Sequence, residues 1–401
     1  MFLLACSGKS SAQEVLNQYL QTAAENNPGL KVEFNEYMAA LEKIPQAGAL
    51  PDPTVAFGYF ISPVETRLGP QNAKISVSQM FPWFGSLSLK ENAAESLAKA
   101  KYEMFEESKS ELFYDVKSTY YNLYFTKKTI SITKENIDIL TSFRRLANVK
   151  IESGSASALD AYRIEMEIND LENQLAQLKD NFNELKLTFN KLLNVDLATD
   201  IEISELPVDF VLSKQTSLDS ILINNNVLAS YDYQLEGLRY EEQSSAKEGL
   251  PRFSLGLEYS FIGEGNAATP DAGQDAFVFP KVGISIPIYR SKYKAKVREV
   301  VYLREAKGFE KSDKENRLVI LFENAWNDYS DAARRYELYK EQADLAQKSL
   351  SILESDYATS NTDFEELLRM ERKLLKYAME LEKAIADKNA ALAFIQYLQG
   401  K

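Results

Sequence analysis

The sequence predicts an α+β protein built twice from one unit, each unit a strand pair followed by a long helical hairpin. Three observations carry this expectation. The apolar seam of residues 87–193 recurs 206 positions later, so that Val116 aligns with Phe322, Leu123 with Tyr329, Phe189 with Ile395 and Leu192 with Leu398. No Gly or Pro lies between Gly85 and Gly154, or between Gly308 and Gly400, which predicts helices far longer than the usual three turns. Four short segments alternate apolar with small or polar residues, the period-two signature of strands with unlike faces.

The chain opens on MFLLACSGKSSA (residues 1–12), a short apolar piece followed by small residues, like the end of a secretory signal. Two readings stay open. Ser10-Ser11-Ala12 fits cleavage before Gln13, whereas Leu3-Leu4-Ala5-Cys6 resembles a lipoprotein box that would acylate Cys6. Either one exports the chain; the remaining alternative is that this segment is no export signal and the chain stays in the cytosol.

Residues 13–193 form the first copy. Glu14 to Lys43 is helical in pattern and ends at Pro45, Gly48, Pro51 and Pro53. Val55, Phe57 and Tyr59 then alternate with Thr54, Ala56 and Gly58. Ile75 and Val77 alternate with Lys74, Ser76 and Ser78, and the polar stretch Ser62 to Asn72 reads as a long hairpin loop. From Leu87 to Ile151 the heptad Val116, Leu123, Ile130, Ile137, Ile151 predicts one helix of ~98 Å, and a helix returns over about 157–193.

Residues 194–215, with Pro207, have no counterpart in the other copy and read as an insert midway along the helical body. The second copy, 216–401, repeats the order: a helix at about 216–247, strands at 253–261 and 282–288, and helices at about 292–357 and 361–399. Lys388 is the one charged interruption of its returning seam. Each long helix matches the summed length of two shorter ones, so it is expected beside two helices stacked end to end.

Strands that are apolar on one face and small on the other suit a membrane barrel with lipid outside and water inside, and equally a half-buried sheet. Four strands cannot close a barrel, the smallest having about eight, so protomers would have to share one.

Composition removes several function classes. A net charge of -13 without a basic stripe argues against nucleic acid. No run of ~18 apolar residues forms a spanning helix. With no histidine and Cys6 as the only cysteine, His-based catalysis, Cys/His metal sites and intrachain disulfides are absent. No phosphate loop and no nucleophile beside a base is found, so neither an enzyme nor a cofactor is expected.

A repeated unit of strand pair, long helix, turn and returning helix resembles the TolC-type outer-membrane efflux family. Local motifs agree: Asn26-Asn27-Pro28, Leu50-Pro51-Asp52-Pro53, and Gln79-Met80-Phe81-Pro82-Trp83-Phe84-Gly85. The last two look most like the branch that serves heavy-metal cation exporters. The resemblance implies an α+β membrane protein in which a long α-helical barrel in the periplasm carries a transmembrane β-barrel completed by trimerisation, with four strands per protomer. It implies a homotrimeric passive conduit for small solutes in outer-membrane lipid, working with a periplasmic adaptor protein and an inner-membrane pump. The competing expectation is a structural coiled-coil protein of the cell envelope, its strands an ordinary sheet.

In that family the helical turns close the tunnel and meet the adaptor. Gly154, Ser157 and Asp160 match the tip pattern in the first copy, and Ser360, Asp363 and Glu366 fall at the equivalent places in the second. The resemblance implies that Asp160 and Tyr357 help hold a closed tip, that Glu366 joins a ring of carboxylates at the entrance, and that Gly154, Ser157 and Ser360 lie where the adaptor docks. The sequence departs from the pattern at Arg369, where an acid is expected, and at Thr362, where a basic partner is. The alternative for the acids is local: Asp160, Asp363 and Glu366 all lie where a helix start favours negative charge.

Overall fold

The computed structural model describes residues 7–154, 157–264, 271–358 and 364–401, with side chains from residue 14 onward and none at 358. Cys6, Ser360, Thr362 and Asp363 lie outside the described residues, and with them the lipidation reading and part of the second tip.

Breaks in the short helices are where the sequence reading and the structure first differ. Instead of one helix over 14–43 there are α1 (Ser7–Asn26), α2 (Pro28–Leu41) and α3 (Lys43–Gly48). Pro28 has no N–H to give and disfavours helix at Asn27, so Asn27 becomes a cap: its Oδ1 accepts from the Leu30 amide at 3.1 Å. Its Nδ2 donates to the Leu192 carbonyl at 3.1 Å. The helix expected at 216–247 is likewise α6 (Lys214–Asn224) and α7 (Asn226–Glu248), with Asn225 Nδ2 donating to the Leu398 carbonyl at 3.0 Å. Leu192 and Leu398 are repeat equivalents, so both copies close the end of a returning helix with an asparagine.

The strands are β1 (Thr54–Thr66), β2 (Gly69–Phe81), β3 (Arg252–Ile262) and β4 (Ala276–Ser285), paired antiparallel in the order β1-β2-β3-β4. The expected loop at Ser62–Asn72 is mostly strand. The chain reverses at Arg67-Leu68, where Gly69 has φ 134° and the Thr66 hydroxyl donates to the Gly69 carbonyl at 2.7 Å. A register shift between Tyr59 and Val64 absorbs the interrupted alternation that made this stretch look like loop. β4 begins and ends earlier than expected, stopping at Ser285 ahead of Pro287, which has no N–H for a ladder.

Four helices carry the hairpins: α4 (Ser86–Glu152), α5 (Ala158–Leu193), α8 (Arg290–Ala358) and α9 (Phe364–Leu398). No described helix is long and apolar enough to cross a membrane.

By contacts the chain divides into two units, each drawing on both copies. The first comprises the chain up to Glu33, Phe105–Asn226 and Lys314–Lys401. Val116 and Phe322 are both fully buried there, as are Phe189 and Ile395, the pairing expected from the 206-residue offset. One core cluster joins Leu20, Val116, Tyr120, Leu123 and Phe189; another joins Leu140, Phe143, Ile164, Ile168, Leu350 and Phe364 near the hairpin turns.

The insert before Lys214 has no regular structure of its own, and its backbone groups are met by side chains of the first unit. Tyr120 Oη accepts from the Ser204 amide at 2.9 Å, and Tyr19 Oη from the Glu202 amide at 2.9 Å. Asn389 Nδ2 donates to the Pro207 carbonyl at 3.0 Å, and Tyr329 Oη to the Phe210 carbonyl at 3.0 Å. Lys388, the break in the apolar seam, is 9% exposed; it donates to the Val208 carbonyl at 2.8 Å and lies 4.6 Å from the Phe210 ring centroid.

The second unit, Phe34–Met104 and Val227–Asp313, holds the sheet and the helical segments beside it. Gly85, at φ 73°, turns β2 into α4, and Lys247 Nζ donates to the Phe84 carbonyl at 3.0 Å. Ion pairs Glu36–Lys101 at 2.6 Å and Asp232–Lys311 at 2.6 Å join its helices; exposed pairs of this kind contribute little each.

Candidate functional site

Two features carry the functional argument, one in each unit. In the second unit it is the sheet. Its alternation puts Val55, Phe57, Tyr59, Val282 and Ile284 on one face, where each is more than half exposed. The opposite face carries Ala56, Gly58, Ser76, Ser78, Ser254 and Gly283. An exposed apolar face of this extent on a water-soluble monomer would be an aggregation liability. β1 and β4 are its edges, each with one side unpaired among the described residues.

In the first unit it is the α4–α5 turn together with the described ends of α8 and α9. α4 ends in a left-handed glycine: Gly154 has φ 72°, with Gly154 N–H donating to Ile151 O at 3.0 Å and Ser153 N–H to Val149 O at 3.2 Å. Ser157 caps α5, its Oγ accepting from the Leu159 amide at 3.2 Å. Asp160 follows in the first turn, 3.8 Å from Arg163, which reaches Glu365 of α9 at 3.0 Å. α5 is tied further to α9 by Arg372–Glu167 at 2.6 Å and to α4 by Arg144–Glu165 at 2.6 Å.

Tyr357 is buried at the end of α8, its ring 5.2 Å from that of Phe364. Its hydroxyl makes no hydrogen bond to a described residue. Burial and, secondarily, the charge of Asp160 push its pKa up, so Asp160 is an electrostatic neighbour rather than an acceptor. What does hold Tyr357 is a residue the sequence reading did not single out. Lys150, 9% exposed, donates to the Tyr357 carbonyl and sits 4.1 Å from its ring centroid. Glu366 and Arg369 neutralise each other, with contacts of 2.6 and 2.8 Å, so the departure at Arg369 cancels the expected acid locally.

Glu371 was also missed. It is 2% exposed on α9 beside the tip cluster, takes an amide hydrogen bond from Asn136 of α4, and leaves Oε2 without a described partner. Burial first, then the like charge of Glu354, pushes its pKa up to about 7, against the opposing bond from Asn136. Its signal was weak: Glu371 follows Met370 of the returning seam and stands four residues after Leu367 and three before Leu374, so it shares the helix side that the seam turns inward. Among the described residues no cluster of His, Cys, Asp or Glu could hold a metal ion.

Residues 19–195 match the outer membrane efflux protein family. The chain is 25% identical over 238 residues to Toxin and drug export protein A of Aggregatibacter actinomycetemcomitans, an alignment that covers 57% of this chain and 51% of that one. The match thus spans about half the length of that relative. Among solved structures it is similar to VceC of Vibrio cholerae, at TM-score 0.79 and 12% identity over 98% of this chain and 97% of the other. It is also similar to the outer-membrane channel OprN, at TM-score 0.77 and 17% identity over 96% and 90%. A third likeness is to the Campylobacter jejuni CmeC channel, at TM-score 0.72 and 16% identity over 96% and 86%. The fold is that of outer-membrane channels.

Proposed function

We propose that this chain is a member of the outer membrane efflux protein family, which its residues 19–195 match, and that it forms with two further copies a passive conduit for small solutes across the bacterial outer membrane. The observation that carries this is the sheet. In a four-stranded meander β4 runs antiparallel to β1, so the β4 edge of one copy is suited to pair with the β1 edge of the next. Three copies supply twelve strands. A closed barrel hides both edges and turns the apolar face to lipid. Eight strands from two copies would leave an interior that side chains fill, whereas twelve lined by small residues leave a water-filled passage.

The two turns are the gate and the docking surface for a periplasmic adaptor, through which an inner-membrane pump supplies the energy. Asp160, Tyr357 and Lys150 hold the first-unit tip closed, Gly154 and Ser157 present the turn, and the Glu366–Arg369 pair leaves the entrance ring close to neutral. Ser360 and Asp363 are proposed to belong to the same tip. An export role fits the printed name of the curated relative. The protein is proposed not to be an enzyme: in a cavity of 820 Å³ in the second unit, lined by Ala39, Leu97, Met104, Tyr231 and Ser230 among others, the Ser230 hydroxyl donates to the Ala100 carbonyl at 3.1 Å rather than to a base.

The test is the mass of the detergent-extracted protein by light scattering, followed by conductance in a planar bilayer. A trimer that conducts is the expected result. A monomer soluble without detergent would remove the barrel and leave a coiled-coil protein of the envelope.

A further inference from the structure

Of the five charged residues at paired strand positions four share one face; the fifth, Glu65 of β1, lies beyond the register shift, beside Pro70 at the hairpin end. By strand register Lys74 of β2 lies beside Gly58 of β1 and Ser260 of β3, Glu258 lies beside Ser76, Lys281 of β4 lies beside Gly256, and Arg252 beside Ser285. This is the small-residue face, opposite Phe57, Tyr59, Val282 and Ile284. Three cations therefore stand against one anion, in a chain whose net charge is -13.

The single carboxylate is already engaged. Glu258 Oε2 accepts from Lys281 Nζ at 2.5 Å, and the Lys74 ammonium also acts on it electrostatically. The neighbouring residues are too short to screen the lysines. A Cβ on Gly58 would lie in ordinary contact with the Lys74 stem, 3.4 Å from its Cγ, which places that stem across β1 over Gly58. Ser76, Ser78 and Gly256 rise no higher. The ammonium groups are thus the tallest polar features of the wall.

We propose that this face is a cationic selectivity wall, and that Lys74, Lys281 and Arg252 make the barrel section of the conduit favour anionic solutes over cations. The inference rests on the conduit reading above, because only a closed barrel turns this face into a lumen. Closure multiplies the imbalance: three copies put nine cations and three carboxylates around one passage, inside a low-dielectric membrane that confines their field. Rings of Lys or Arg are the physical means by which pores attract anions and repel cations. Organic carboxylates and other anionic metabolites or drugs fit such a wall; bare metal cations, the cargo that the Pro51 and Trp83 motifs suggested, do not.

The experiment is the reversal potential of the reconstituted trimer in a KCl gradient, for wild type, Lys74→Gln/Lys281→Gln, Lys74→Arg/Lys281→Arg and Glu258→Gln, each checked for trimer mass. The glutamine pair should lower the chloride-to-potassium permeability ratio by about threefold or more, the arginine pair should keep it, and Glu258→Gln should raise it. The contrast should fade at 1 M salt, where the Debye length shrinks to about 3 Å. Conductance with a ratio that the glutamine pair leaves unchanged overturns the inference and leaves the conduit standing. Absence of conductance in wild type and also in a tip-loosened Lys150→Ala variant overturns the conduit reading, and the inference falls with it.

Discussion

Lys150 places its ammonium 4.1 Å from the ring centroid of Tyr357 and donates to the same residue's backbone carbonyl. One lysine from α4 thereby satisfies an orphan carbonyl at the end of α8 and fixes the aromatic ring that packs on Phe364. Two helices that are 207 residues apart in the chain at this point are joined by a single buried cation.

Replacing that cation separates its two functions. Lys150→Ala should loosen the last turn of α8 by about 1–3 kcal/mol, since it removes a charged hydrogen bond and a cation–π contact together. Lys150→Met, which keeps the stem, should recover only the packing part. Hydrogen exchange of the amides at 350–357 reads this directly. Unchanged protection in Lys150→Ala would mean that Phe364 alone holds Tyr357.

Glu371 makes the helical body sensitive to pH. Its folded pKa of about 7 lies above the value of an exposed glutamate, so the folded state holds the proton more tightly than the unfolded state does. The stability this contributes is whole below pH ~4.3 and is lost as pH rises through about 7. Thermal unfolding in detergent should therefore show a lower Tm at pH 8 than at pH 6. Glu371→Gln can still accept from Asn136 and should gain about 2–3 kcal/mol over wild type at pH 8 while flattening this window. A Glu371→Gln protein with the wild-type pH profile would assign the effect to other groups.

Lys388 anchors the insert. Lys388→Met keeps the apolar stem in the seam but leaves the Val208 carbonyl without its donor, a loss of about 1–3 kcal/mol. Limited proteolysis should then cut within 194–213 at a protease concentration that spares wild type. Equal resistance would show that Asn389, Tyr329 and Tyr120 hold the segment without it.

Neighbouring residues on β2 test which face meets lipid. Ile75→Arg puts a charge on the apolar face and should cost about 2–4 kcal/mol near mid-membrane, enough to reduce the folded trimer recovered from outer membranes. Ser76→Arg points to the other face, opposite Glu258, and should assemble normally. If both variants assembled equally well, the apolar face would not be in lipid.

Much of this protein was legible because its signals are periodic. Heptads without Gly or Pro located the four long helices to within a few residues, and alternation located the strands and their unlike faces, because helix and strand each repeat a local geometry that every residue reports. The repeat also marked Lys388 as an anomaly, since a charge in an apolar seam must have a partner.

What failed were stretches where one residue overrides the period. Asn27 and Asn225 split helices that the pattern ran together, and in each case the deciding bond goes to a carbonyl more than 160 residues away. Ser62–Asn72 read as loop because a register shift hides alternation, and only pairing with β2 reveals it as strand.

The sequence by itself determined the repeat, the helix lengths, the strand faces and the absence of histidine chemistry, since each is a property of local order or composition. Only the tertiary structure decided that Lys150 lies against Tyr357, that Glu371 is buried beside Asn136, and that Lys74, Glu258 and Lys281 share one wall. Those facts join residues far apart in the chain, and no spacing along a sequence encodes which distant groups a packed interior will bring within a few ångströms.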